Sequence, residues 1–328
     1  MKPIKVCIVP QAVENPSGGV YNHCLDLVDL MKDSQSIEAK MIPRTIRIKK
    51  IPILGKYIFD PTELKSFIKK CDADIIHIHG FAVFSAIQTM RICSKLNKKF
   101  YYSPHFHPFN FLNRPWLGNL FFMFLVRPLL KKASAIITIN DTDTSFFRKY
   151  HSNIFKIPHY IRELPKTEIS KQKKKNRILF VGRNESNKGT DHLEKIPQEY
   201  ELICVTNKPI NRKNTYYFSG ISREELSNLY HTASLVVVPS RYEAFSYVSL
   251  EALSCGTPVL MSDNVEIKSY LKNIQGIYSF AYGNIKDFSK KIKIAINSTV
   301  AVEKINGIFA PAAIRLQYEK AFSDIKSR

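Results

Sequence analysis

Residues 235–258 read LVVVPSRYEAFSYVSLEALSCGTP, and this stretch decides the fold. Its apolar start, Leu235–Pro239, has the length of a buried strand, and a helical pattern begins near Ser246. Gly256 then provides a typical helix end. A strand that leads through a loop into a helix is the repeating unit of a parallel sheet covered by helices. Because the free N–H groups at a helix start attract anions, the stretch also predicts a ligand site.

The same alternation extends along the chain in both directions. Short apolar runs predict further strands at Ile4–Pro10, Ala73–His79, Phe100–Ser103, Ala135–Ile139, Arg177–Val181, Glu201–Val205, Tyr216–Phe218 and Pro258–Met261. Helical spacing predicts helices at Tyr21–Met31, Pro61–Lys70, Phe84–Leu96, Leu117–Lys132, Glu224–Thr232, Tyr247–Ser254 and Pro311–Ile325. Strand and helix in alternation indicate an α/β fold with parallel sheets.

The alternation is interrupted once, by a basic segment without apolar periodicity. Residues 164–176 contain the run KQKKK and are predicted to be a solvated linker. We therefore predict two Rossmann-like domains, over residues 1–163 and 177–302. A last helix in residues 303–328 is expected to pack back on the first domain.

Composition excludes several classes of protein. With 45% hydrophobic and 23% charged residues, the chain of 328 residues is expected to be globular and soluble. Its six cysteines are scattered, which predicts reduced thiols and a cytoplasmic location. The longest apolar run, Trp116–Val126, is shorter than the ~20 residues of a spanning helix. The net charge of +21 favours anionic partners: nucleotide phosphates, an anionic membrane or nucleic acid.

A second motif, FVGRNESNKG at residues 180–189, leads from a strand into a loop bracketed by glycines. Its cations, Arg183 and Lys188, can neutralise a diphosphate at the sheet edge without a metal ion. In the first motif, Glu243 lies just before the predicted helix. Glu251 lies inside the helix, about 7.5 Å along the helix axis from the start of the helix. Two such carboxylates suit two hydroxyl-bearing parts of one ligand. Alternatively, Glu251 is a solvated helix residue and Glu243 a helix cap.

In order and spacing, these motifs resemble the family 4 retaining glycosyltransferases, which have the GT-B fold. The E-x7-E signature of that family matches Glu243 and Glu251. Its G-R-x(n)-K-G signature matches Gly182, Arg183, Lys188 and Gly189. Where the family usually has Glu-Gly-Phe-Gly, this chain has Glu-Ala-Phe-Ser at residues 243–246, so the identity of the donor stays open.

The resemblance implies a hexosyltransferase that binds a UDP- or GDP-linked sugar in a central cleft faced by two parallel sheets. Arg183 and Lys188 would hold the diphosphate, Glu243 the transferred sugar and Glu251 the ribose. The backbone of the segment Phe245, Ser246 and Tyr247 would contact the phosphates. Transfer would proceed with retention and without a metal or other cofactor. The first domain would receive a glycan or lipid-linked acceptor.

Two features of the first half complete the predicted site. The sequence PSGGV at residues 16–20 opens a helix, and glycines there allow a ligand to approach the backbone. By resemblance, Gly18 and Gly19 face the donor across the cleft. The resemblance also places His105 near the transferred sugar, although His107 is an alternative.

Two H-x-H pairs, His77 with His79 and His105 with His107, end neighbouring predicted strands. Three or four such nitrogens suit zinc. However, residues i and i+2 of a strand share a face, so one pair can simply pack or hydrogen-bond. We expect no metal there. Asp141 and Asp143 form a D-x-D triplet but receive no assigned role.

The segment Lys40–Lys56 combines six basic residues with aliphatic ones and contains no acidic residue. Such a segment suits the surface of an anionic bilayer, where each cation adds about 1 kcal/mol. It predicts peripheral attachment to the inner face of a membrane; the alternative is a basic loop and edge strand. Other activities of the fold, a sugar phosphorylase or a nucleotide-sugar epimerase, remain rivals. A basic nucleic-acid-binding protein is the rival from a different class. It would need basic residues interleaved with exposed aromatic residues on one face. The basic clusters lie mainly in a linker and one loop, so no nucleic acid is expected as a partner.

Overall fold

The computed structural model of the protein describes residues 2–13, 19–51, 56–81, 83–105, 120–165 and 173–324. Its contacts divide the chain into two compact units. The first unit comprises Met1–His159 with Ile314–Arg328, and the second comprises Tyr160–Ala313. Within the described ranges, every helix is too short or too polar to span a lipid bilayer.

The first unit is built on a six-stranded parallel sheet with the order β2-β1-β5-β6-β7-β8. Its strands and the separate antiparallel hairpin β3–β4 are β1 Ile4–Val9, β2 Ile37–Met41, β3 Ile48–Ile51, β4 Lys56–Phe59, β5 Ile75–His79, β6 Phe100–Ser103, β7 Ala135–Thr138 and β8 Ile154–Lys156. The central strands β5, β6 and β7 are buried on both faces, as expected when helices cover a parallel sheet.

The helices of the first unit are α1 Gly19–Met31, α2 Pro61–Lys70, α3 Phe84–Lys95, α4 Arg127–Leu130 and α5 Asp141–Phe147. A π-helical turn, Phe122–Val126, precedes α4. Local chemistry fixes the start of α2, where the Asp60 side chain accepts hydrogen bonds from the backbone N–H groups of Thr62 and Glu63. Asp60 directly follows β4, so this cap places the start of α2 at the end of the hairpin.

The second unit repeats the architecture with the strand order β11-β10-β9-β12-β13-β14, also parallel. Its strands are β9 Arg177–Val181, β10 Glu201–Val205, β11 Thr215–Phe218, β12 Leu235–Val238, β13 Val259–Ser262 and β14 Ile277–Phe280. Its helices are α6 Arg223–Thr232, α7 Tyr247–Ser254, α8 Ile285–Ala295 and α9 Val302–Phe309. The strand order reverses direction between β9 and β12, and ligands of such sheets bind beyond the strand ends at that point.

The end of the chain belongs to both units. The ring of Phe309 in α9 packs 6.1 Å from the ring of Phe245, within the second unit. The final helix, α10 Pro311–Ser323, packs in the first unit, where the Tyr101 hydroxyl donates to the carbonyl of Ala321. The change between units therefore lies after Ala313 rather than at residue 303, because α9 has its own apolar contacts in the second unit. The other boundary lies after His159 rather than at residue 163.

The described end of the predicted linker, residues 173–176, is exposed but anchored to the second unit. The Lys173 Nζ donates to the carbonyl of Gly256 at 2.9 Å and to Thr257 Oγ1 at 2.8 Å. The backbone N–H of Lys174 donates to the carbonyl of Thr232. The described end of this predicted linker is therefore part of the second unit, although its charged sequence predicts a solvated segment. Its earlier part, residues 166–172, lies outside the described residues.

Replacement of Phe322 by alanine tests the packing of α10 in the first unit. Phe322 is fully buried, and its ring lies 5.6 Å from that of His77 and 5.7 Å from that of Tyr101. We expect Phe322→Ala to lower the free energy of unfolding by about 3–5 kcal/mol, measured by urea denaturation. Leu316→Ala is the matched control, since Leu316 lies on the same helix with 64% of its surface exposed. Equal effects of the two substitutions would contradict this packing.

Candidate functional site

Two loops meet beyond the ends of β9 and β12, where the strand order reverses. Gly189 has a φ of +64°, and a Cβ atom there would lie 1.8 Å from the carbonyl oxygen of Pro239. Only glycine therefore permits this contact. A second link is the hydrogen bond from the N–H of Arg241 to the carbonyl of Asn187, at 2.9 Å. The two sequence motifs thus form one continuous surface.

The contact between the loops brings two predicted site residues together. The Lys188 Nζ lies 2.6 Å from Glu243 Oε1, and both side chains are largely buried, with 26% and 17% of their surface exposed. The Ser240 hydroxyl donates to the second oxygen of Glu243 at 3.4 Å. Lys188 and Glu243, each predicted to contact a ligand, therefore form an ion pair with one another. A diphosphate that binds Lys188 therefore competes with Glu243 for its ammonium group.

The backbone of Glu243 is held by the loop that follows β13. Its N–H donates to the carbonyl of Asn264 at 3.2 Å, and its carbonyl accepts from the N–H of Glu266 at 2.9 Å. These bonds pair Glu243 with Val265 as in a short parallel bridge. The carboxylate is therefore presented from a fixed backbone. The sequence motifs contain no sign of this support.

Arg183 lies at the exposed side of the same loop. Its guanidinium pairs with Glu185 at 3.0 Å, and 68% of its side chain is accessible to solvent. An exposed pair of this kind contributes little free energy. Arg183 can therefore exchange Glu185 for an anionic ligand at low cost.

The start of α7 follows directly from Glu243. Ser246, fully buried, caps the helix by accepting a hydrogen bond from the N–H of Ser249 at 3.2 Å. A serine where the resembling family has glycine thus gains a capping role. Phe245 is buried next to it, and the ring of Tyr247 is covered by the guanidinium of Arg162 at 4.1 Å.

Glu251 is buried, with 7% of its surface exposed, so it is not a solvated helix residue. The hydroxyl of Tyr230, on α6, donates to its Oε2 at 3.0 Å. Burial and the neighbouring carboxylate hold the pKa of Tyr230 well above its ordinary value, which keeps the donor protonated. A buried carboxylate with a fixed orientation suits recognition of hydroxyl groups. Tyr230 was not predicted, since its helical spacing indicates only a core position.

In the first unit, three histidines converge at the carboxyl edge of the sheet. One ring nitrogen from each of His23, His79 and His105 lies within 4.8 Å of the other two. The closest pair is His79 Nδ1 and His105 Nε2, at 3.0 Å. His105 has a φ of +48°, a left-handed conformation that is uncommon for any residue other than glycine. We call these three residues the histidine cluster.

Two further imidazoles border the histidine cluster. The ring of His77 lies 4.1 Å from that of His79, as expected for residues i and i+2 on one strand, and its Nε2 bonds to Ser103 Oγ. The ring of His159 lies 4.1 Å from that of His23. His107 lies outside the described residues. His23 and His159 were not among the predicted site residues, although both follow segments that end at the same sheet edge.

Burial governs the ionisation of these imidazoles. It lowers the pKa of His77 to about 3 and that of His105 to about 4. Burial also lowers the pKa values of His23 and His79 well below the usual range, and the neighbouring imidazoles add to the effect. All four rings are therefore neutral at pH 7, and each offers one nitrogen lone pair.

The remaining predicted residues of the first unit have separate surroundings. Gly19 begins α1, and no atom lies within 4 Å of the position that a Cβ would take, so packing alone does not require glycine. Gly18 lies outside the described residues. Asp141 pairs with Lys156 Nζ at 2.6 Å, and Asp143 is buried in the first turn of α5. The D-x-D triplet is thus accounted for by local structure.

The basic segment Lys40–Lys56 is less positive than its sequence indicates. Its ends belong to the strands β2 and β4 and its middle contains β3, while residues 52–55 lie outside the described residues. Lys49 pairs with the buried Asp60 at 2.6 Å, and Arg47 pairs with Glu63. Both carboxylates come from the start of α2, beyond the segment itself. These ion pairs therefore neutralise part of the positive charge of the segment.

Comparison with known proteins adds family matches for both units. A family model described as "Glycosyltransferase Family 4" matches residues 22–161, and one described as "Glycosyl transferases group 1" matches residues 195–306. A curated relative, an uncharacterised 41.2 kDa protein in the cps region of Klebsiella pneumoniae, is 24% identical over 88% of each chain.

Solved structures share the fold over the full chain. Sucrose-phosphate synthase from Thermosynechococcus elongatus superposes with a TM-score of 0.74 at 16% identity, covering 99% of both chains. Anabaena HepE, solved in complex with UDP and glucose, superposes with a TM-score of 0.68 at 14% identity, covering 98% of this chain and all of its own. At such identities the likeness shows the fold alone. With two Rossmann-like units and both family matches, this chain belongs to the family 4 glycosyltransferases and has the GT-B fold.

Proposed function

We propose that this glycosyltransferase moves a hexose from a UDP- or GDP-linked donor to a hydroxyl group of a glycan or lipid-linked acceptor, with retention and without a metal ion. The observation that carries the proposal is the Lys188–Glu243 ion pair beside the start of α7. It combines a cation for a diphosphate, a carboxylate for a sugar hydroxyl and the start of a helix in one short stretch of the second unit. The UDP and glucose bound to the Anabaena protein support a uridine nucleotide as donor.

Donor binding exchanges partners within this area. The diphosphate takes Lys188 from Glu243, and Arg183 leaves Glu185 to bind the same group. Glu243, released from Lys188, then accepts a hydrogen bond from a hydroxyl of the sugar. Lys188 has an anionic partner before and after the exchange, so the site never contains an isolated buried cation.

Transfer breaks the bond between the anomeric carbon and the diphosphate oxygen and forms a bond to the acceptor oxygen. The acceptor proton passes to an oxygen of the leaving diphosphate on the same face of the sugar, which gives retention. Lys188, Arg183 and the N–H groups at the start of α7 stabilise the negative charge on the leaving group. No metal ion is required for this step. Glu251, oriented by Tyr230, binds the ribose, and His105 contacts the transferred sugar.

A surface groove of the first unit supports a lipid-linked acceptor at an anionic membrane. The groove has a volume of about 410 Å³ and lies among the hairpin β3–β4, α2 and α3. Its apolar lining residues are Ile51, Ile58, Pro61, Phe84, Ile87, Ile92 and Leu96. Lys65, Arg91 and Lys95 stand around it with exposed side chains, and no acidic residue lines it.

These three cations differ from those of the neighbouring basic segment. Among the described residues, none of the three forms an ion pair, whereas Arg47 and Lys49 do. The membrane surface that we propose is therefore centred on the groove rather than on the segment Lys40–Lys56 as a whole. Apolar lining and unpaired cations together suit an acyl chain and a phosphate.

The first test of the donor site is Lys188→Ala. A hydrogen bond to a charged group contributes about 1.5–3 kcal/mol, so we expect affinity for the nucleoside diphosphate to fall by tenfold or more and transfer to be lost. Calorimetric titration with UDP and GDP measures the affinity. Lys195→Ala is the control, because it removes an exposed cation of the same unit. Wild-type affinity and turnover in folded Lys188→Ala protein would refute the assignment.

The membrane proposal is tested with two charge-matched triple variants. Replacement of Lys65, Arg91 and Lys95 by serine removes the groove cations, at about 1 kcal/mol each, and should weaken vesicle binding about 100-fold. Replacement of Lys286, Lys290 and Lys293 by serine removes three exposed charges from α8 and should change binding little. Co-sedimentation with phosphatidylcholine vesicles, with and without phosphatidylglycerol, measures both.

Equal loss in the two variants would show that only net charge matters and that the groove is not the binding surface. If the wild-type protein ignores phosphatidylglycerol vesicles even at low salt, the membrane proposal fails. A soluble glycan then becomes the acceptor class to be tested.

A further inference from the structure

We propose that the histidine cluster, His23, His79 and His105, is a binding site for a divalent transition-metal ion, with zinc as the best match. The proposed transfer reaction does not use such an ion, so the site has a role other than activation of the donor. The inference goes beyond the proposed function and rests on the geometry of the first unit alone.

The spacing of the ring nitrogens suits a single ion. One nitrogen from each of the three rings lies within 4.8 Å of the others, and the closest two are 3.0 Å apart. Ligands of a tetrahedral zinc ion, each about 2.0–2.1 Å from the metal, lie about 3.3 Å from one another. The separations of up to 4.8 Å have to shorten toward this value when an ion binds. The hydrogen bond between His79 Nδ1 and His105 Nε2 shows that these two nitrogens already point at one another.

Three separate elements supply the ligands. His23 lies on α1, His79 ends β5, and His105 follows β6 by two residues. The neighbours β1, β5 and β6 place these elements side by side in the sheet. A rigid scaffold therefore holds the rings together before any ligand binds, which lowers the cost of assembling a metal site.

Unpartnered nitrogens are a second, independent sign of a ligand. His79 Nε2 and His77 Nδ1 are buried and have no hydrogen-bond partner in the described part of the chain. The great majority of buried polar atoms in proteins have such a partner, and each exception calls for a cause. The ion itself would lie at the other nitrogen of His79, Nδ1, so an ordered water beside it would supply the partner of these atoms.

The ligand chemistry selects among metals. The three ligands are all imidazoles, which suit zinc, copper and nickel, whereas magnesium and calcium require oxygen ligands. Three histidines and one open position form a common arrangement for zinc, and the fourth position can hold water.

Occupancy would also affect transfer, and this consequence rests on the proposed function. His105 cannot bind a metal ion and contact the transferred sugar through the same nitrogen. We therefore expect one equivalent of zinc to inhibit the enzyme and EDTA to restore full activity. If zinc binds but transfer continues unchanged, the metal site stands and the sugar contact of His105 is withdrawn.

Direct binding measurements decide the proposal without any substrate. The full-length protein, freed of metal with EDTA and dialysed, is titrated with zinc in competition with a chromophoric chelator. We expect one zinc ion per chain, and affinity at least tenfold weaker in His23→Gln and in His79→Gln. His231→Gln, which removes a half-buried imidazole from the second unit, should bind zinc as the wild type does.

Cobalt provides a readout that needs no variant. Cobalt(II) bound by three nitrogens in a four-coordinate site should give intense visible absorption, and zinc should abolish it. Absence of stoichiometric zinc binding by the wild-type protein overturns the proposal, as does wild-type affinity in both His23→Gln and His79→Gln. If either variant fails to fold, the wild-type stoichiometry and the cobalt spectrum decide alone.

Discussion

The close contact between Gly189 and the carbonyl of Pro239 is the constraint on which the second unit depends. It presses the loop after β9 against the loop after β12, and no residue with a Cβ atom fits at position 189. The ion pair between Lys188 and Glu243 follows from this contact, since the two residues are 55 positions apart in the chain. The start of α7 follows within a few residues. One steric condition thus assembles a cation, a carboxylate and a set of helix N–H groups.

Most of this architecture could be predicted from the sequence, because strands and helices produce local patterns of apolar residues. Apolar runs identify the central strands, which are buried on both faces and tolerate few polar residues. The strands β2, β8 and β14 were not predicted, because they lie at sheet edges and are only partly buried. For the segment of the hairpin β3–β4, a loop and edge strand was only the alternative interpretation. The motifs identified Lys188 and Glu243 as site residues, but not that they bind one another. Pairing between distant loops depends on strand order, which periodicity does not contain.

Charge and burial were the least predictable properties. A glutamate inside a helix is solvated by default, so the buried state of Glu251 became clear only with its partner Tyr230 on another helix. The segment Lys40–Lys56 contains no acid, yet Asp60 and Glu63 neutralise part of it from α2. The histidine cluster, too, could be predicted only in part from the sequence. His77, His79 and His105 stand out as pairs in the sequence, whereas His23 joins them only through the fold.

The central claim is that a nucleoside diphosphate displaces Glu243 from Lys188 without the help of a metal ion. Calorimetric titration of wild type and Glu243→Gln in EDTA, with whichever of UDP and GDP binds, tests it most directly. The glutamine still packs in the loop but no longer holds Lys188 by charge. We expect Glu243→Gln to bind the nucleoside diphosphate several-fold more tightly than the wild type, since about 1 kcal/mol of competing interaction is removed. Weaker or unchanged binding by Glu243→Gln, or binding that requires magnesium, would contradict it.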